Sequence, residues 1–101
     1  MTLNELRYIV AVAQEKSFGR AAAKCFVSQP ALSVAIQKLE EELGTQLFER
    51  GKSEVSVTPV GARVVEQAQL VLEEAARIRE IARSGRNQLV GALKLGVIYT
   101  V

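Results

Sequence analysis

Two helix-start signals stand eleven residues apart in SFGRAAAKCFVSQPALSVAIQKLEEELGTQLF, residues 17–48, with a run of alanines between them. Ser17 and Ser28 each carry a hydroxyl able to accept a backbone N–H at a helix start, where the first amides have no partner within the helix. Ala21, Ala22 and Ala23 keep the first helix thin, so a second helix can cross it closely. The spacing predicts one helix over Phe18–Lys24, a turn at Cys25-Phe26-Val27, and a longer helix from Ser28 to about Leu43. Pro30 fits the first turn of that second helix, because its missing N–H would have had no intrahelical acceptor there. Gly44 suits a left-handed cap at the other end. The unit is a helix-turn-helix.

The longer helix has two contrasting faces. Leu32, Ile36, Leu39 and Leu43 recur at spacings of four, three and four and define the buried stripe. At about 100° per residue, Pro30, Ser33, Val34 and Gln37 lie opposite, with Gln29 at the edge. That outward face is small and uncharged at its start, while Glu40, Glu41 and Glu42 gather near its end and read as a solvated surface. An ordinary surface helix favours acids in its first turn, to suit the helix dipole. Phosphate approaching the N-terminus accounts for their absence, and a braced helix of this kind is what enters the major groove of DNA.

Around this unit the chain divides into three parts. Residues 1–58 form a winged helix-turn-helix. Its first helix starts at a T-x-x-E capping box, Thr2 with Glu5, and is apolar over more than half its circumference, so it is expected to be buried on two sides. Phe18, Phe26 and Val27 are expected to fill the core between helices. After Gly44, Gln46–Arg50 and Glu54–Val57 read as two strands around Gly51-Lys52-Ser53, a wing with Arg50 and Lys52 beside its tip. Residues 59–85 form a long helix, with Thr58 as cap and Pro59 at its first position. In it Val64, Ala68, Val71, Ala75, Ile78 and Ala82 alternate by four and three, a coiled-coil seam. With Val60, Val65, Leu72 and Ile81 the apolar surface exceeds what one small domain covers, which implies self-association. The turn of sequence Gly85-Arg86-Asn87-Gln88 reads as a hinge, and residues 86–101 are expected to hold it and, from Leu89, a strand with no partner in this chain, the first strand of an absent C-terminal effector-sensing domain.

The inventory excludes much else. There is no histidine, all eleven acids are glutamate, and Cys25 is the only cysteine. Zinc sites, histidine-dependent nucleophile arrangements and disulfides within the chain are therefore out, and Cys25 reads as a small hydrophobe. No enzyme, metal or cofactor is expected. No apolar run approaches the roughly 20 residues of a membrane span, and a cytoplasmic location is expected. Net charge is +2, and residues 1–58 hold seven Lys/Arg against seven Glu. That balance keeps a protein-interaction module open as the rival to a DNA reader, against which stand the wing cations and the acid-free helix face.

The order LRYIVAVAQEKSFGRAAAKCFVSQPALSVAIQKLEEELGTQLFER, then VTPVGARVVEQAQ and a long helix, resembles the N-terminal domain of LysR-type transcriptional regulators. Within that family LEEELGTQLFER and LKLGVIYTV are most similar to the peroxide-sensing branch. The resemblance implies a mostly α fold and binding of double-stranded DNA as an activator or repressor. It places Gln29, Pro30, Ser33, Val34 and Gln37 towards base edges or nearby backbone. It assigns Ser28 and Arg20 to phosphate, and Arg50, Lys52 and Ser53 to a wing at the adjacent minor groove. It further implies a homodimer through the long helices, a tetramer of two dimers, and RNA polymerase as a further partner.

Overall fold

The computed structural model describes residues 1–51 and 53–94, the last nine by backbone alone. Four helices and one hairpin follow in the order α1 (Leu3–Glu15), α2 (Phe18–Lys24), α3 (Gln29–Leu43), β1 (Phe48–Arg50), β2 (Val55–Val57) and α4 (Pro59–Lys94). Each expected cap forms. Thr2 accepts from the Glu5 amide while the Glu5 carboxylate accepts from the Thr2 amide, closing the capping box. Ser17 accepts from the Arg20 amide and Ser28 from the Ala31 amide. Gly44 ends α3 at φ 69°.

The core lies where α1, α2 and α3 meet under the start of α4. Ile9, Val12, Leu32, Ile36, Leu39 and Leu47 are its most deeply buried large side chains. Ala21 and Ala22 are buried with them, so the alanine run does bring α2 and its neighbours close. Cys25 is a half-buried free thiol packed against this cluster.

The strands are shorter than expected, three residues each, and pair antiparallel with Phe48 opposite Val57 and Arg50 opposite Val55. A hairpin this small has little stability of its own, and contacts from outside it hold it in place. The Val55 amide donates to the Lys16 carbonyl at the end of α1. Glu40 on α3 accepts from the Leu47 and Phe48 amides with one oxygen, at 2.6 and 3.3 Å. Glu40 is therefore a structural acceptor, and the expectation of a merely solvated carboxylate is corrected.

Three other expectations are corrected. Phe26 does not fill the core: it is 95% exposed at φ 59°. The turn needs a left-handed residue after Cys25 and has no glycine, so a bulky residue takes that conformation at a cost of about 1–2 kcal/mol, its ring turned outward. Ala68 is 3% exposed and Val65 8%, both in the core. One turn of helix separates them from Gly61 and Leu72, and this stripe packs on α1, so Ala68 leaves the expected seam. Third, α4 continues through Gly85–Gln88 to Lys94, with no hinge there and no strand over Leu89–Lys94. A single glycine costs a helix only about 1 kcal/mol, and Arg86, Gln88, Leu89 and Leu93 are good helix formers with no proline among them. The remainder of the expected strand, residues 95–101, lies outside the described residues.

The start of α4 is locked to the hairpin at Leu47. Thr58 donates its amide to the Leu47 carbonyl at 2.9 Å and its hydroxyl to the Gln46 carbonyl at 2.8 Å, while accepting from the Gly61 amide. A Cβ at Gly61 would stand 2.1 Å from the Leu47 carbonyl oxygen. Only glycine permits so close a crossing.

Candidate nucleic-acid interface

The N-terminal end of α3 is uncovered. Ser28, Gln29, Pro30 and Ala31 are exposed, as are Val34 and Gln37 further along, and Ser33 is half-buried among them. The first turn of α3 holds no acid. Pro30 has no N–H and the Ala31 amide is capped by Ser28, so it is the positive end of the helix dipole that meets solvent there, an arrangement that favours an anion. Val34 is an apolar side chain left 51% exposed on this face. The Gln29 carboxamide rests beside α2, where Gly19 leaves room: a Cβ there would sit 3.4 Å from Gln29 Oε1.

The cations are arranged differently from the sequence-based expectation. Arg50 does not stand free at the tip of the wing. Its guanidinium lies 4.2 Å above the Phe18 ring, and its Nη2 donates to Ser33 Oγ at 3.0 Å. Phe18 is braced in turn by Phe48, edge to face at 6.2 Å. A flat, weakly hydrated guanidinium gains from both contacts, which draws it back over α3. Arg50 and Ser33, assigned to separate elements by the sequence pattern, thus form one cluster. None of the ion pairs among the described residues involves Arg50.

Arg20 on α2 is exposed but tied to the end of α1, donating to the Glu15 carbonyl at 2.6 Å and lying 3.7 Å from its carboxylate. Lys24 shares that carboxylate at 3.8 Å and donates to Gln14 Oε1 at 2.6 Å. Both remain at the surface. Ser53 is exposed, and Lys52 lies outside the described residues.

On α4, Val64 and Ala75 are half-buried, Val71 is 37% exposed, Ile78 68% exposed, and Ala82 open to solvent. With Val60 they fall within about 60° of helix circumference. The stripe borders the face that packs on α1 and continues beyond it.

Three residues that hold this surface in shape escape a reading of the sequence. Glu40 is hidden in an acidic run; its signal is its place seven residues before Leu47, where the chain must turn into the wing. Gly61 has a signal too, since a glycine in the first turn of a helix after Thr-Pro marks a close approach. Phe18 reads as a core residue, and its second task, as a platform for Arg50, needs three-dimensional proximity to see. Among the described residues no three His, Cys, Asp or Glu side chains gather to hold a metal ion. No described helix is long and apolar enough to cross a membrane.

A crossed helix pair with an exposed second helix, a two-strand wing and a long trailing helix define a winged helix-turn-helix. The family of bacterial regulatory helix-turn-helix proteins of the lysR type matches residues 3–62, and the chain belongs to it. It is 45% identical over its whole length to a hydrogen peroxide-inducible genes activator of Pectobacterium carotovorum subsp. carotovorum. It is 44% identical, again over its whole length, to the DNA-binding transcriptional dual regulator OxyR of Escherichia coli K12. The chain spans about a third of the length of each, 33%. Among solved structures, full-length OxyR from Pseudomonas aeruginosa superposes with a TM-score of 0.83 at 64% identity, covering 88% of this chain and 30% of that one. A DNA complex of the BenM DNA-binding domain superposes at 0.79 with 44% identity, covering 83% of this chain and 94% of that one.

Proposed function

We propose that this chain reads DNA as part of a sequence-specific transcription regulator, with α3 in the major groove and the hairpin at the neighbouring minor groove or its backbone. The observation that carries the reading is the uncovered, acid-free start of α3, with Gln29, Pro30, Ser33, Val34 and Gln37 free of burial in the core. Gln29 can pair with adenine, Pro30 and Val34 can pack on thymine methyls, and Ser28 with Arg20 can meet phosphate. Lys52 and Ser53 supply further contacts from the wing. The partly exposed stripe Val64, Val71, Ala75, Ile78 and Ala82 serves a second copy, so that two α3 helices face one side of the duplex about one helical turn, ~34 Å, apart. No catalytic role enters this reading, which places the protein in the cytoplasm with RNA polymerase as a further partner. The names of the relatives favour a peroxide signal, and pairing of two dimers on the DNA belongs to the same reading.

Selection of bound duplexes from a random pool tests it. A palindrome with half-sites about one turn apart is expected, with affinity falling steeply as salt rises. A chain that binds no duplex at low salt, while still self-associating, would instead be a protein-interaction module.

A further inference from the structure

A serine hydroxyl has one proton to donate and lone pairs to accept with. On Ser33 one of those lone pairs is already engaged, because Arg50 Nη2 donates to Oγ at 3.0 Å. A helical serine often donates its proton to the carbonyl four residues earlier; among the described residues Arg50 is the only side-chain hydrogen-bond partner of Ser33. Arg50 has no freedom to reverse this polarity, since a guanidinium only donates. Nor does it swing easily. Its plane rests on Phe18, which is 8% exposed and held edge-on by Phe48. The cleft beside the cluster is lined by Ser33, Gln37, Gln46 and Arg50, and it opens along the exposed flank of α3.

We propose that Arg50 is a specificity-positioning residue: it holds Ser33 as an acceptor on one side, so the Ser33 proton is presented outward to a hydrogen-bond acceptor on DNA. The proposal rests on the DNA-reading function above and deepens it. Two DNA groups offer that chemistry, an acceptor on a base edge and a phosphate oxygen. A base-edge donor such as the amino group of adenine or cytosine is disfavoured at this position. Arg50 as an independent phosphate cation would leave Ser33 indifferent to it.

The test uses a duplex chosen by the selection experiment and the chain as wild type, Ser33→Ala, Arg50→Lys, Arg50→Ala and the two double variants. Binding is measured against single base-pair substitutions and against single methylphosphonate replacements, with random duplex as reference. Lysine keeps the charge but not the flat plane on Phe18, so Arg50→Lys separates positioning from charge, and each variant's affinity for random duplex is the reference for its own series. One substituted position, in one of the two series, should cost wild type about five-fold, the size of a single hydrogen bond. Ser33→Ala and Arg50→Lys should each lose that sensitivity, and the double variants should lose nothing more. Which series shows it identifies base edge or phosphate. Equal Ser33→Ala effects in wild-type and Arg50-substituted chains overturn the proposal, as does wild-type sensitivity retained by Arg50→Lys. If wild type does not distinguish the selected duplex from random, the DNA-reading function itself fails, and this inference with it.

Discussion

Replacing Glu40 with alanine removes one oxygen that serves two amides, and the cost can be worked from the geometry. The Leu47 amide donates to it at 2.6 Å and the Phe48 amide at 3.3 Å. A hydrogen bond to a charged acceptor contributes about 1.5–3 kcal/mol, and a long one about 0.5–1 kcal/mol. Glu40 is half-exposed, so water can replace part of what is lost, and the lower end of each range applies. Leu47 itself is fully buried, so its amide is the harder of the two to rehydrate. The sum is about 2 kcal/mol. A chain near 100 residues loses roughly 4–8 °C in melting temperature per kcal/mol, so a fall of roughly 8–16 °C is expected. Glu40→Gln keeps an acceptor without the charge and should lose about half as much. Glu41→Ala, one residue along on an exposed position, should change stability by less than about 0.5 kcal/mol. Urea unfolding of the three variants followed by circular dichroism is the assay. If Glu40→Ala and Glu41→Ala unfold together, the Glu40 contact does not hold the hairpin and the reasoning fails.

Gly61→Ala gains about 1 kcal/mol of helix propensity but drives a methyl into the Leu47 carbonyl, where relief by overpacked backbone costs about 1–3 kcal/mol; calorimetry should show a net loss of stability. Phe26→Asn relaxes the left-handed residue while sacrificing a ring that is 95% exposed, so stability in urea should rise by about 0.5–1 kcal/mol; a fall would mean the ring packs on something. Ile78→Glu should shift sedimentation from dimer towards monomer with the helical signal preserved, whereas Ala68→Glu should unfold the domain, because only the second is buried in the chain's own core. Ser28→Ala should lower stability by about 1 kcal/mol through the lost cap, read in the same urea titration.

Elements governed by local rules are legible in the amino-acid sequence. Thr2, Ser17, Ser28 and Thr58 announce four helix starts because a short hydroxyl side chain satisfies a neighbouring amide, whatever lies further away. Of the expected stripe, Leu32, Ile36 and Leu39 are buried, because helical periodicity is a local property, whereas Leu43 in the last turn is 39% exposed. What stays hidden depends on partners distant along the chain. Ala68 and Ile78 share one four-three pattern, yet only the neighbouring α1 decides that Ala68 is covered. Phe26 misleads because an aromatic residue between two helices is ordinarily core, and the left-handed turn that swings it outward has no signature without glycine. A hinge at Gly85 overvalues one glycine against good helix formers on either side.

The wing and the recognition helix are best understood as one body. Leu47 joins three parts of the fold at a single residue: its amide is held by Glu40 of α3, its carbonyl by Thr58 at the start of α4, and its side chain fills the core. Phe48 follows at once and braces Phe18, which carries Arg50, which grips Ser33 on α3. The path thus leaves α3 at Glu40 and returns to it at Ser33, two turns earlier, so the hairpin cannot tilt without disturbing both ends. Two strands of three residues lack the area to fix their own orientation. The closed circuit supplies it, and Gly61 brings α4 into the same rigid register. If α4 pairs with a second copy, the separation of the two reading helices is then set by packing at Leu47, and a substitution that loosens this junction should blur half-site spacing before it abolishes binding. Selection from duplexes with half-sites moved apart by single base pairs would reveal it: Gly61→Ala should accept a wider range of spacings than wild type, and an unchanged spacing preference would show that the junction does not govern the geometry.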